Sequence, residues 1–361
     1  MKKTTRRWVV VGISAAILAL IVYRITRSDE WSRFDWSRLW YLLVHAHRGY
    51  LVLAVAAIYL SYFLRALRWK YFLEPIKPAS LWVLFVGQIL GFSAIFLIGR
   101  PGEVVRPAYI AARQNVSFAS QLAILILERV YDTVFTFIVF ALALYFHPLH
   151  PTNAREELQL RRIHQTASTV LLLVILLIVG LVLFRIYSEA LTAWLSRRFR
   201  FVPAKLRSYS RSFLRSLSAG LDSIRNWRDL VATLVCTLVL WFLNVSVFWL
   251  VFHSLGGALR ELSWWAAAVT LFFAALGLLV QLPGVGGGYQ VGTIQALRQI
   301  FHVRPEGATS AGILMWIITL VPCVLLGVLL LLYEGLSFRK LGLMARLKRA
   351  EAEVRTGAPD A

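Results

Sequence analysis

The sequence predicts an all-α polytopic membrane protein with about six spanning helices and two re-entrant Pro-Gly hairpins, arranged as an inverted repeat. Three observations carry this reading. Of 361 residues, 59% are apolar and 16% charged, whereas a soluble globular chain carries about 25% charged residues. The apolar residues lie in continuous runs, such as 8–23, 170–184 and 230–250, and about 20 apolar residues in a helix cross a bilayer core of about 30 Å. Lastly, Lys and Arg concentrate on one side of the membrane only if two of the runs turn back. Composition excludes a soluble enzyme, a disordered chain and a disulfide-stapled secreted domain. The continuity of the runs excludes an alternating transmembrane β-barrel.

Taken in order, Lys2, Lys3, Arg6 and Arg7 precede the run 8–23, and no small-residue cleavage site follows it. This predicts an uncleaved signal-anchor helix with its N-terminus in the cytoplasm. Trp31, Phe34, Trp36, Leu39 and Trp40 read as an outer interfacial belt. Apolar segments follow at 49–69, 81–99, 119–146 and 165–184. The segment 185–229 carries Leu206, Tyr209, Phe213, Leu217, Leu221 and Ile224 at helical spacing, with Arg207, Arg211 and Arg215 on another face. It reads as an amphipathic helix on the inner membrane surface. Further apolar segments occupy 230–253, 264–282 and 309–334, before a basic cytoplasmic tail at 335–361.

If all eight segments cross, the basic stretch 185–229 falls outside, against the positive-inside tendency. If 81–116 and 264–303 each enter and leave on one side, that stretch becomes cytoplasmic and the imbalance reverses. Both termini are then cytoplasmic, and the expected location is the plasma (inner) membrane. The proposed tips read Gly99-Arg100-Pro101-Gly102-Glu103 and Pro283-Gly284-Val285-Gly286-Gly287-Gly288. Proline lacks a donor and glycine accepts positive φ, so Pro-Gly ends a helix. The order helix, hairpin, helix occurs at 49–146 and again at 230–334, with the hairpins dipping from opposite sides. That plan is common in secondary transporters, where the site lies between broken helices.

The net charge of +21 suits anionic lipid headgroups better than nucleic acid, since no groove-reading motif is present. Cys236 and Cys323 lie inside apolar runs and make no metal spacing. No metal, cofactor or catalytic arrangement is implied. Ionisable residues at membrane depth are costly and point to function. Glu128, Arg129 and Asp132 sit in the middle of 119–146, with Glu128 and Asp132 on one face. Arg100, Glu103 and Arg106 crowd the first tip. Two arrangements are open to them. Arg106 pairs with Glu128 or Asp132 and neutralises a buried cluster, or Arg100, Arg106 and Arg129 offer a guanidinium fork to a phosphate. Gly286 and its neighbours could hold an anion through backbone N–H groups. Arg65 and Arg68 read as snorkelling side chains at a cytoplasmic helix end.

Residues 99–106 (Gly-Arg-Pro-Gly-Glu-Val-Val-Arg), Glu128-Arg129-x-x-Asp132 and 282–290 (Leu-Pro-Gly-Val-Gly-Gly-Gly-Tyr-Gln) together resemble the lysylphosphatidylglycerol synthase transmembrane family, also called the flippase-like domain family. It includes the membrane domain of the multiple peptide resistance factor, which moves aminoacylated phosphatidylglycerol between leaflets. The resemblance covers roughly 10–340. It implies a lipid flippase-like domain with Gly102, Glu103, Arg106, Glu128, Arg129, Asp132, Pro283 and Gly284 at matching positions. Gln290 stands where the family often has an acidic residue. The tail after 335 is too short for a soluble synthase domain, so a stand-alone membrane domain is expected.

The expected function is movement of a phosphate-bearing lipid between leaflets, without bond chemistry: an aminoacyl-phospholipid, a polyprenyl-phosphate or a glycolipid precursor. Arg100, Arg106 and Arg129 would contact phosphate, and Glu103, Glu128, Asp132 and Gln290 would complete the substrate site. The alternative is a non-transporting partner of a membrane glycosyltransferase or lipid-modifying enzyme.

Overall fold

The computed structural model describes residues 34–146, 227–278, 281–282 and 286–334, with isolated helical positions between 157 and 179. The predicted anchor 8–23, nearly all of 165–184, the amphipathic segment up to 226, the tail 335–361, and Pro283 and Gly284 lie outside these residues.

Nine helices run through the described residues: α1 (Trp36–Val44), α2 (Arg48–Leu73), α3 (Leu81–Ile98), α4 (Val105–Gln114), α5 (Phe118–Phe146), α6 (Trp227–Leu255), α7 (Trp264–Gly277), α8 (Gly288–Gln299) and α9 (Pro305–Tyr333). A two-residue antiparallel ladder pairs β1 (Gln281–Leu282) with β2 (Gly286–Gly287). The protein is an α-helical polytopic membrane protein: α2, α3, α6 and α9 are long and apolar enough to cross a bilayer. The 29-residue α5 is about 44 Å long at 1.5 Å per residue and carries the ionisable residues at its middle.

Local chemistry explains the helix starts. Asp35 caps α1 by accepting Arg38 N–H at 2.9 Å, and Ser263 caps α7 by accepting Ala266 N–H at 3.1 Å. Ser117 Oγ accepts Ser120 N–H at 3.1 Å ahead of α5. Pro305 opens α9 in the first turn, where its missing donor costs no intrahelical bond. Three of the five residues of the expected belt lie in α1, which packs on α9: Leu39 is buried, while Trp36 and Trp40 are exposed.

The helices flanking each predicted tip pack back on one another as tight helical hairpins. In the first, Gly102 backs onto Ala94, Gly91 onto Arg106 and Gly87 onto Ile110. The partner number falls as the chain climbs, so α4 returns antiparallel along α3. In the second, Gly277 meets Gly288, and Gly292 meets Phe273, so α8 returns along α7. Small residues permit this backbone approach, as at other membrane helix interfaces. The first tip breaks at Gly99 (φ +75°) rather than at Pro-Gly itself. Pro101 instead sits in the short 3-10 turn Arg100–Val104, where its absent donor is tolerated. The arm predicted over 264–282 ends at Gly277, about 21 Å long and short of the roughly 30 Å core.

Gly277→Ala is expected to disrupt the second hairpin, because its Cβ would fall on the Gly288 carbonyl. The expected loss is about 1–3 kcal/mol or more, read as a lower unfolding midpoint in detergent. An unchanged midpoint would show that the two backbones are not in contact.

The packing is unchanged when α2, α3, α4 and α5 are exchanged with α6, α7, α8 and α9. The helices α2 and α6 pack on each other along the centre, α3 on α9 as α5 on α7, and α4 on α5 as α8 on α9. The fully buried residues Ala54, Ala66, Leu240, Val245 and Val251 lie on the two central helices.

Candidate functional site

The inward stripe of α5 reads Gln121, Leu125, Glu128, Asp132 and Phe135, all buried. This three-and-four spacing is one helical face, so the carboxylates must meet whatever packs there. They meet arginines from two other helices. Glu128 Oε1 accepts from Arg68 Nη2 at 2.9 Å and Arg65 Nη1 at 3.4 Å. Asp132 Oδ1 accepts from Arg68 Nη2 at 2.8 Å, and Oδ2 from Arg65 Nη1 at 2.7 Å. Glu128 Oε2 accepts from Arg106 Nη2, and Arg106 Nη1 donates to Gln88 of α3.

The arginines are held from behind. The Arg106 guanidinium lies 4.1 Å over the Trp69 ring, a cation–π contact. Trp69 Nε1 donates to Gln121 Oε1 at 3.0 Å. Arg68 Nη1 donates to Thr237 Oγ1 of α6 at 3.1 Å, and Thr237 in turn donates to the Thr233 carbonyl at 2.6 Å. Arg68, Thr237 and Gln121 are fully enclosed. The expectation that Arg65 and Arg68 snorkel is therefore corrected. The helix continues to Leu73, so both arginines point into the bundle, where carboxylates offset the loss of water.

Arg129 differs from the others. It lies off the inward stripe, its side chain is 39% exposed, and its ion pairs are long: 3.8 Å to Glu103 and 3.9 Å to Asp132. Beside it is a cleft of about 10 Å³ lined by Gln88, Gly91, Phe92, Ile95, Glu103, Arg106 and Arg129. That is room for about one water molecule. Two buried donors of the lining residues, Gln88 Nε2 and Arg129 Nε, make no hydrogen bond. A buried donor without an acceptor costs about 1–3 kcal/mol, so the cleft favours an oxygen-rich ligand. Among the described side chains, four guanidiniums (Arg65, Arg68, Arg106, Arg129) face three carboxylates (Glu103, Glu128, Asp132), leaving one positive charge over.

Of the residues singled out from the sequence, Glu103, Arg106, Glu128, Arg129 and Asp132 come together. Arg100 opens the 3-10 turn of the same tip, where only its backbone is described. Pro101 is exposed there and Gly102 buried. Gln290 belongs to the other hairpin, where its Oε1 accepts the Gly287 N–H at 2.7 Å. It orders the start of α8, and Gly286 pairs with Leu282 beside it. Sequence reasoning missed Arg65, Arg68, Gln88, Trp69 and Thr237. The available signal was the i, i+3 pair of arginines facing an i, i+4 pair of carboxylates. Among the described residues no group of His, Cys, Asp and Glu could hold a metal ion.

Two comparisons with known proteins place the chain in a family. A UPF0104 membrane protein of Pyrococcus horikoshii is 27% identical over 349 residues, covering 90% of this chain and 95% of that protein. The lysylphosphatidylglycerol synthase TM region matches residues 8–327, a span that includes both hairpins and the whole arginine–carboxylate cluster. The chain therefore belongs to the lysylphosphatidylglycerol synthase transmembrane-region family.

Proposed function

We propose that the protein moves a phosphate-bearing lipid between leaflets of the plasma membrane. The headgroup passes the cleft beside Arg129 while the acyl or prenyl chains stay in lipid. The observation that carries this is the cleft itself. It combines a surplus guanidinium with two donors, Gln88 Nε2 and Arg129 Nε, that lack acceptors. A phosphate supplies several acceptor oxygens and the missing negative charge.

The residues divide the work. Arg65 and Arg68 are consumed by Glu128 and Asp132. Arg106 is fixed by Glu128, Gln88 and Trp69, and turns one edge to the cleft. Arg129 is the loosely paired contact, and Glu103 is the carboxylate a phosphate would displace from it. Each hairpin enters and leaves on one side, the first from the cytoplasm and the second from outside, as an inverted repeat with both termini cytoplasmic. No bond-breaking step is needed. The family supports a lipid role, and aminoacyl-phospholipids, polyprenyl-phosphates and glycolipid precursors all carry the required phosphate.

The test is leaflet exchange of fluorescent phosphatidylglycerol and of a short polyprenyl-phosphate in reconstituted vesicles, with phosphatidylcholine as control. Exchange of a phosphate lipid above the protein-free rate, lost in Arg129→Ala, is expected. Exchange at the protein-free rate for every lipid would overturn the reading. It would leave a non-transporting partner of a glycosyltransferase or lipid-modifying enzyme, identified by co-purification.

A further inference from the structure

The cleft beside Arg129 holds about one water-sized volume, 10 Å³, so a phosphate enters only if neighbouring helices part. On either side of the central α2–α6 packing, two further seams join the exchangeable halves, α3 on α9 and α5 on α7. Exchange makes them equivalent in position, yet their chemistry is opposite.

The α5–α7 seam is aromatic. Phe140 stacks on Phe272 at 3.7 Å with the rings 9° from parallel. Phe137 meets Phe272 edge-on at 5.4 Å, and Phe146 stacks on Trp265 at 4.8 Å. Interlocked rings of this size resist sliding.

The α3–α9 seam is built from small residues and single hydrogen bonds. Ser93 Oγ donates to the Cys323 carbonyl at 3.0 Å. From α2, Tyr59 donates to the Pro322 carbonyl at 2.8 Å. Gly327 backs directly onto Ser93. At one end, Arg113 of α4 pairs with Glu334 just after α9. Pro322 lies inside α9 and has no N–H for the Ile318 carbonyl, so the helix is weakest where these bonds attach. The seam also adjoins the cleft. Ile89 and Ser93 of α3 face α9, and the adjacent Gln88 and Phe92 line the cleft.

We propose that the α3–α9 seam is the lateral gate of the cleft. Pro322 is its hinge, Tyr59 and Ser93 are its latches, and the aromatic α5–α7 seam is the fixed pivot. The gate rests on the lipid-translocation reading for its purpose, and its opening is measurable without transport.

Cys323 is 1% exposed and within the seam, so it is alkylated only when the gate opens. The measurement is N-ethylmaleimide modification of Cys323 in reconstituted Cys236→Ser protein, read by intact mass. Tyr59→Phe and Ser93→Ala are each expected to raise the rate about 3- to 10-fold, as loss of one buried hydrogen bond raises the open population. Phe140→Leu, on the opposite seam, should leave it within about twofold. Unchanged rates in both latch variants would overturn the gate. So would an equal rise in Phe140→Leu, which marks general loosening.

The second arm uses Ser93→Cys in the same background. Ser93 Oγ lies 3.6 Å from Cys323 Sγ, so mild oxidation should join the two thiols. Disulfide formation is followed by mass. Joined protein should lose lipid exchange and regain it on reduction. Continued exchange after complete joining would overturn the gate. If the unmodified protein moves no lipid, the translocation reading fails by itself, and the alkylation rates still decide whether the seam opens.

Discussion

Glu128→Gln is expected to destabilise the protein by about 3–5 kcal/mol, the usual cost of breaking a buried ion pair from one side. Glu128 is 1% exposed and accepts from Arg65, Arg68 and Arg106. Glutamine keeps the shape but loses the charge, and its amide turns a donor toward one of those arginines. Arg65 and Arg68 would then share Asp132, and the enclosed Arg106 would be left with Gln88 and Trp69 but no carboxylate. The unfolding midpoint in detergent should fall on the order of 5–15 °C. Removing the now unpaired cation as well, in Glu128→Gln with Arg106→Gln, should recover part of that loss, because the two residues share one interaction. A single variant that melts with the wild type, or a double variant showing strict additivity, would show that Glu128 does not anchor the cluster.

Arg129→Ala should behave in the opposite way. Its two ion pairs are long, 3.8 and 3.9 Å, and its side chain is 39% exposed. Such pairs contribute about 0–1 kcal/mol, so the midpoint should barely move. Lipid phosphate would lose a charge-assisted contact of about 2–3 kcal/mol, a 30- to 150-fold loss in affinity or exchange rate. Arg129→Lys should recover only part, since an ammonium cannot reproduce the guanidinium fork. Exchange unchanged in Arg129→Ala would remove Arg129 from the headgroup path. A midpoint lowered as far as in Glu128→Gln would make it a structural member of the cluster. The contrast between the two variants separates what holds the bundle together from what meets the ligand.

The carboxylate half of the cluster was legible in the sequence, and the arginine half was only partly so. Glu128 and Asp132 repeat at i, i+4 inside an apolar run, and such residues are too costly at depth to be incidental. Arg106 was legible through its place beside the broken tip. Arg65 and Arg68 were read as snorkelling because they lie near a helix end, where a long side chain ordinarily reaches the headgroups. Their direction depends on a neighbour. The carboxylates of α5 offer hydrogen bonds at 2.7–2.9 Å, and sequence periodicity does not reveal which helix supplies that neighbour. Gln88 and Thr237 were invisible for the same reason. A lone polar residue on an apolar helix acquires its role only from what it touches.

The sequence by itself determined that the chain is a helical membrane protein, where most helices start and stop, and that two segments turn sharply. Those are consequences of hydropathy, capping and the backbone chemistry of glycine and proline, which act over a few residues. Only the tertiary structure decided which charges meet, because ion pairing depends on the facing of helices that are distant in sequence. It assigned Arg106 to Glu128 and left Arg129 weakly held beside a cleft. It also made one seam aromatic and its counterpart a line of single hydrogen bonds. The physical reason is range. Helix formation is settled by neighbours one turn away, whereas the site is made by five helices, α2 to α6, that the bilayer and their small-residue contacts force together.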